Sequence, residues 1–249
     1  MRTLWLALAG VLAFAGAALA QAGDCMEAAA LVRAEAGLPR AAAAIADRHE
    51  LKVAVAGSTS SILAGPGGAR AAYPVTLQSA LSERLPGAAV TVVNTAKPRQ
   101  TAAEMQEGFG RLLAAQKLDL VIWQTGTADA MRGIDLDQFR AQLEKGIEQL
   151  QAGGADVVLM NMQYSPRTES MIAADSYAEI MRGVALKREI PLFDRLAVMK
   201  AWNDEGTFDL STATKNSEMA EQVHVCIGRL LADLVVNSVD FAEDAKQEK

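Results

Sequence analysis

Four short runs without a polar face set the limits on what this chain can fold into. They are Lys52-Val53-Ala54-Val55-Ala56, Val90-Thr91-Val92-Val93, Leu120-Val121-Ile122-Trp123 and Asp156-Val157-Val158-Leu159-Met160. A strand with one wet face alternates apolar and polar residues, whereas a strand covered on both faces is apolar nearly throughout. The segments between the runs read as helices. Leu77, Leu81 and Leu85 share one helical face before Pro86-Gly87 stops it. Residues 102–116 form the next helix, and Leu136, Phe139, Leu143, Ile147 and Leu150 keep helical spacing up to Gly153-Gly154. An Ala-rich helical stretch over residues 26–49, punctuated by Gly37-Leu38-Pro39, comes before the first run. Residues 190–193 add a short fifth strand and residues 219–236 a last long helix. The expected class is therefore α/β, with a central parallel sheet of about five strands and helices on both faces. Ligands of such sheets bind outside the carboxyl ends of the strands. The loops after Ala56, Val93, Gln124 and Met160, and the segment before the last helix, are the places to look.

The first twenty residues stand apart. Arg2 precedes an apolar stretch beginning at Leu4, and Ala18-Leu19-Ala20 is a small-residue cleavage site. Residues 1–20 thus read as a signal peptide cleaved after Ala20, giving a periplasmic or secreted protein with no membrane span once the leader is removed. An uncleaved anchor is the alternative. Residues 21–240 are expected to form a single domain and residues 241–249 a charged tail. With 24 basic and 30 acidic side chains the net charge is −6, which offers no electrostatic footprint for nucleic acid. The chain has two cysteines, Cys25 and Cys226. An oxidising compartment favours a Cys25–Cys226 disulfide, and two buried free thiols are the alternative. Such a bond closes a loop of about 200 residues, worth on the order of 5 kcal/mol in chain entropy. Two histidines, His49 and His224, lie far apart in the sequence, so neither a metal site nor a cofactor is expected.

Those loops carry a family resemblance. Gly57-Ser58-Thr59-Ser60 after the first strand, followed by Tyr73-Pro74, resembles the first block of the SGNH/GDSL hydrolases, in their exported bacterial branch. Trp123-Gln124-Thr125-Gly126-Thr127-Ala128-Asp129-Ala130 is similar to the third block. Leu159-Met160-Asn161-Met162-Gln163-Tyr164-Ser165-Pro166 resembles the strand and turn that follow, and Val223-His224-Val225-Cys226-Ile227-Gly228 the closing helix. The resemblance implies a three-layer flavodoxin-like fold of SGNH-hydrolase type. It also implies a serine nucleophile, a histidine base oriented by aspartate, and an oxyanion held by backbone N–H, a glycine and an asparagine.

In this chain every one of those slots is changed. The nucleophile slot falls on Thr59, with Ser58 its neighbour; the glycine slot falls near Arg99, the asparagine slot on Ala128, and the Asp-x-x-His pair on Lys215 and Glu218. Thr59 keeps a hydroxyl but adds a methyl group that crowds the attack path. Ala128 offers no donor, and losing one oxyanion donor typically lowers a rate by ~10²–10³. An ordinary carboxylate such as Glu218 is a weak base at neutral pH. His224, inside the last helix, reads as a packing or surface residue aimed away from the cleft, and His49 lies toward the wrong end of the sheet. Asp209 is an acidic alternative if the alignment shifts. The hydroxyls of Ser58, Ser60 and Ser61 read as turn residues.

The expectation is a degenerate active site on a hydrolase fold, serving as a binding or scaffold module in the cell envelope. Its ligand would be a carbohydrate or a small acyl ester, in a cleft formed by Ser58, Thr59, Arg99, Ala128, Gln163, Lys215 and Glu218. Arg99 and Lys215 would favour an anionic ligand such as a uronate. Tyr164 is a further contact candidate, Gln124 a possible cleft residue, and Trp123 a core residue. Two alternatives stand beside this: an active esterase or acetyl esterase using Thr59 or Ser58, and an assembly partner for an envelope or secreted protein.

Overall fold

The structure, a computed structural model, describes residues 25, 27–63, 65, 67–211 and 217–247. The leader at 1–20 and Lys215 lie outside the described residues. Five strands, β1 (Glu50–Ala56), β2 (Ala89–Asn94), β3 (Leu120–Gln124), β4 (Asp156–Met160) and β5 (Leu192–Phe193), form one parallel sheet in the order β2-β1-β3-β4-β5. In register, Ala56 sits opposite Trp123, and Gln124 opposite Met160, so the strands end nearly level. Every residue of β3 and β4 is buried. By contrast β2 is an edge strand with exposed and half-buried positions, although its sequence is as apolar as the others.

Besides a single helical turn at Gly68–Ala71, the helices are α1 (Pro39–Arg48), α2 (Tyr73–Arg84), α3 (Ala102–Ala115), α4 (Thr127–Met131), α5 (Leu136–Ala152), α6 (Pro166–Met171), α7 (Ala174–Lys187), α8 (Arg195–Glu205) and α9 (Ser217–Gln247). The β1 to β2 connection steps one way across the sheet, and the next three step the other way. Parallel crossovers are right-handed, so α2 lies on one face and α3, α5 and α7 on the opposite face. Packing agrees: α9 lies against α2 and α1, while α5 lies between α3 and α7. The reversal falls between β1 and β3, the place where ligands of such sheets commonly bind. The expected α/β architecture is the one observed.

Trp123 is a core residue. Its ring is wholly buried, meets Phe109 edge to face at 4.9 Å between centroids, and donates its indole N–H to Met105 Sδ at 3.3 Å.

Two helix expectations need correction. The stretch over residues 26–49 breaks at Gly37-Leu38-Pro39, and the fixed φ of Pro39 starts α1 there, but the part before the break is a 3-10 turn (Glu27–Leu31) followed by irregular chain instead of helix. The last helix does not stop near residue 236 but continues through most of the charged tail. Val239 and Ala242 are buried, and Leu38 donates its N–H to the Ser238 carbonyl at 3.0 Å. A side chain at Gly37 would lie 2.8 Å from the Ala242 Cβ, so the glycine admits the helix there. Cys25 and Cys226 form a disulfide with Cα atoms 5.1 Å apart, spanning 201 positions.

Candidate functional site

At the end of β1 the chain turns too tightly for any side chain at Gly57. A Cβ there would lie 2.3 Å from the Ser61 hydroxyl oxygen and 3.3 Å from Gln124 Oε1. The space is filled by a chain of hydrogen bonds. Ser58 donates its N–H to Gln124 Oε1 at 3.0 Å, Ser61 donates its hydroxyl to the same oxygen at 3.0 Å, and the Ser61 and Tyr73 hydroxyls are 2.9 Å apart. Burial pushes the Tyr73 hydroxyl up to about 12, so Tyr73 stays protonated and donates to Ser61. Gln124 therefore locks the loop from beneath, and Ser61 is fully engaged. Thr59 Oγ1 accepts the N–H of Arg99 at 3.0 Å, with Arg99 in left-handed backbone at φ 61°.

Behind this loop α9 approaches α2 closely. A Cβ at Gly228 would lie 2.8 Å from the Tyr73 carbonyl oxygen and 3.0 Å from the Leu77 nitrogen. That contact brings His224, one turn earlier, to the first turn of α2, where its Nδ1 accepts the otherwise unpartnered N–H of Tyr73 at 3.0 Å. Burial, and then the positive charge of Arg195, push the imidazole down to about 3. His224 is thus neutral with its proton on Nε2: the nitrogen able to accept a proton already holds a helix N–H.

Arg195 opens α8 and is 1% exposed. The loops after β4 and β5 clamp it in place. Asp194 accepts the Ala197 N–H at 3.0 Å, Asn161 accepts the Leu196 N–H at 2.9 Å, and the Asn161 amide donates to Asp194 at 2.7 Å. The guanidinium donates to the Ser60 carbonyl at 2.9 Å and lies 6.0 Å from the Tyr73 ring centroid. Burial lowers its pKa to about 10, so it remains charged at neutral pH. No carboxylate pairs with it among the described residues.

Thr59, Ser60, Gln163, Tyr164, Arg195 and His224 line a cavity of about 350 Å³. Gln163 and Tyr164 also line a neighbouring cavity of about 550 Å³, which is rich in charged residues such as Glu169, Asp175 and Arg182.

Of the residues expected in the cleft, Thr59 and Gln163 line the smaller cavity, and Tyr164 joins them. Ser58 is buried just below, tied to Gln124. Arg99 touches Thr59 through its backbone but is exposed and lines neither cavity. Ala128 is buried in α4, because the turn at Gly126 starts a helix there; it too lines neither cavity. Glu218 is exposed on the first turn of α9, outside the cavity lining. Asp209 is exposed and accepts the Ser211 N–H at 3.0 Å. His224 corrects the reading that helix geometry aims it away from the cleft. It is a packing residue, yet its ring forms part of the cleft wall. Among the described residues the cation of the cleft is Arg195, which the sequence alone does not single out. Its one signal is a charged residue directly after a strand, Phe193-Asp194-Arg195, at the carboxyl-end loop that carries no motif.

The model of the non-GDSL lipase-like family matches residues 24–241. The chain belongs to that family. No curated protein sequence matches it. Solved structures of the same fold include a mutant of an acetyl-xylooligosaccharide esterase from Geobacillus, at 17% identity and TM-score 0.58, covering 76% of this chain and 94% of that one. The protein TesA is similar at 21% identity and TM-score 0.55, with 77% and 99% covered. The lipase/acylhydrolase from Enterococcus faecalis follows at 17% identity and TM-score 0.53, with 70% and 93% covered. At these identities the likeness concerns the fold: this family member has the SGNH/GDSL esterase-like architecture.

Proposed function

We propose that the protein is a non-catalytic ligand-binding member of this esterase-like fold, exported to the periplasm or beyond. One observation carries the reading. Of the two histidines in the chain, His49 precedes β1 at the amino end of the sheet, and His224 has its acceptor nitrogen occupied by the Tyr73 N–H. A hydroxyl nucleophile needs a base within hydrogen-bond reach, and neither imidazole supplies one to Thr59, Ser58 or Ser60. The substituted slots at Ala128 and Glu218 point the same way. Carbohydrates and acyl esters, the ligand classes suggested by the fold, are the candidates for the cleft. Export is supported by the leader-like residues 1–20 and by the disulfide, which persists in oxidising compartments. Among the described residues no helix is long and apolar enough to cross a membrane.

Hydrolysis of p-nitrophenyl acetate and butyrate by the mature chain, beside Thr59→Ala and Ser58→Ala, is the test. Background rates in all three, with no fluorophosphonate labelling, are expected. Turnover that one substitution abolishes would name a nucleophile and overturn the reading.

The assembly-partner alternative has its own observation. A groove of about 770 Å³ between α7, β5 and the end of α9 exposes Leu186 and Phe241, side chains suited to a protein partner.

A further inference from the structure

A buried cation without a counter-ion is costly, and a fold retains one when something else supplies the negative charge. Arg195 is such a cation. It has one hydrogen bond to a neutral carbonyl, an Nε with no partner, and no carboxylate beside it among the described residues. Next to it the Ser60 hydroxyl is buried and also without a partner. His224 adds an Nε2–H to the same cavity wall. Three donors thus gather around one small cavity, with no carboxylate in its lining among the described residues.

Thr59, Gln163, Tyr164 and Ser165 add polar groups to the wall, and Ile62, Leu63, Met199, Leu210, Met219 and Val223 give it an apolar side. An aliphatic chain would bury its methylenes there, at roughly 0.8 kcal/mol each. The cavity, about 350 Å³, is near the small end of ligand pockets.

We infer that this cavity binds an aliphatic carboxylate of short to medium chain length, with the carboxylate on Arg195 and Ser60 and the chain along the Ile62–Met199–Val223 wall. This rests on the non-catalytic reading above and narrows it from acyl esters and carbohydrates to the free acid. Arg195 supplies a planar fork of donors matched to a carboxylate, the Ser60 hydroxyl completes the set, and the negative charge removes the penalty of the lone cation.

Calorimetric titration of the mature, disulfide-bonded chain with butyrate, octanoate, octanol and glucuronate at pH 7 tests it. Octanoate saturates, butyrate binds more weakly, and octanol and glucuronate give no saturable heat. Arg195→Met weakens octanoate about tenfold to a hundredfold, the range of a lost charge-assisted hydrogen bond. Its melting temperature stays level or rises in the absence of ligand, because an unpaired buried charge has been removed. A purely structural arginine would instead lower the melting temperature. Ser60→Ala, which removes only an orphan hydroxyl, keeps the fold and weakens octanoate severalfold, so the test stands even if Arg195→Met does not fold. No heat with octanoate, or equal binding of octanol, overturns the carboxylate site and leaves the non-catalytic reading intact. Ester turnover with octanoate as an Arg195-dependent inhibitor does the reverse: it overturns that reading and keeps the site.

Discussion

The two ends of the sheet treat buried charge in opposite ways. At the amino end, Asp156 is 4% exposed and fully engaged: it accepts the N–H groups of Arg40 and Ala41 at 2.8 and 3.0 Å, and pairs with the Arg40 side chain at 3.3 Å. Asp119, equally buried, accepts the Lys52 N–H at 2.9 Å and pairs with Arg48. At the carboxyl end, Arg195 has no counter-ion among the described residues, and Gln124 Nε2 and Ser60 Oγ are buried without partners. The two aspartates are thus satisfied where they hold elements together, whereas Arg195 and Ser60 keep unpartnered atoms beside a cavity; Thr127, Arg188, Trp202 and Ser238 carry further buried unpartnered atoms outside it. Native proteins pair nearly all such groups, so the two that line the cavity together, Arg195 and Ser60, are candidates for groups kept for binding.

The largest effect is expected at the bond that ties Cys25 to α9. Replacing Cys25 and Cys226 by serine releases a loop spanning 201 positions, and an unfolding loss approaching 5 kcal/mol is expected, read by urea denaturation. Next, Asp156→Ala removes the cap of α1 and strands two N–H groups, a loss of about 3 kcal/mol by the same measurement.

Acid should expose the His224 environment. Its folded pKa of about 3 lies below the ordinary 6.5, so the unfolded chain binds more protons between those values. Its contribution is fully present above pH 6.5 and falls by about 1.4 kcal/mol per pH unit as the pH drops toward 3. Burial raises Asp129 and Asp156, which works in the opposite sense at low pH. The slope to compare is therefore that of the wild type against His224→Gln, and the variant should lose less stability on acidification. The smallest effect closes the series: Arg195→Met should stay within about 1 kcal/mol of the wild type or exceed it. A loss as large as that of Asp156→Ala would break the contrast between the two ends.

Much of this was legible in the residues. Apolar runs and helical spacing place β1, β3, β4 and α5 within a residue or two, because a sheet covered on both faces allows no other pattern. The same rule misjudges β2, whose apolar sequence sits at an exposed edge: hydropathy reports composition and not position in the sheet. The loop after β1 was found, and with it Thr59. The deepest residues of the cleft were not. Arg195 is one arginine among many until its burial is known, and His224 reaches the wall only because Gly228 lets α9 lie against α2. Ala128 failed for a related reason, since a motif slot fixes a position in the chain but not whether the next helix turns it into the core. Arg195 and His224 depend on contacts between residues far apart in sequence, which no local pattern encodes.

The Cys25–Cys226 bond also decides how the molecule would respond to being pulled. Tension applied between the two ends of the described chain would run through the sulfur bridge and along α9, bypassing the sheet entirely. Only the stretch of α9 beyond Cys226 would be stretched, peeling Ala242 from Gly37 and Ser238 from Leu38, while the cleft stayed slack. Reduced, the same chain would pass that tension through every strand. The bridge therefore acts as a mechanical shunt around the cavity that Arg195 lines.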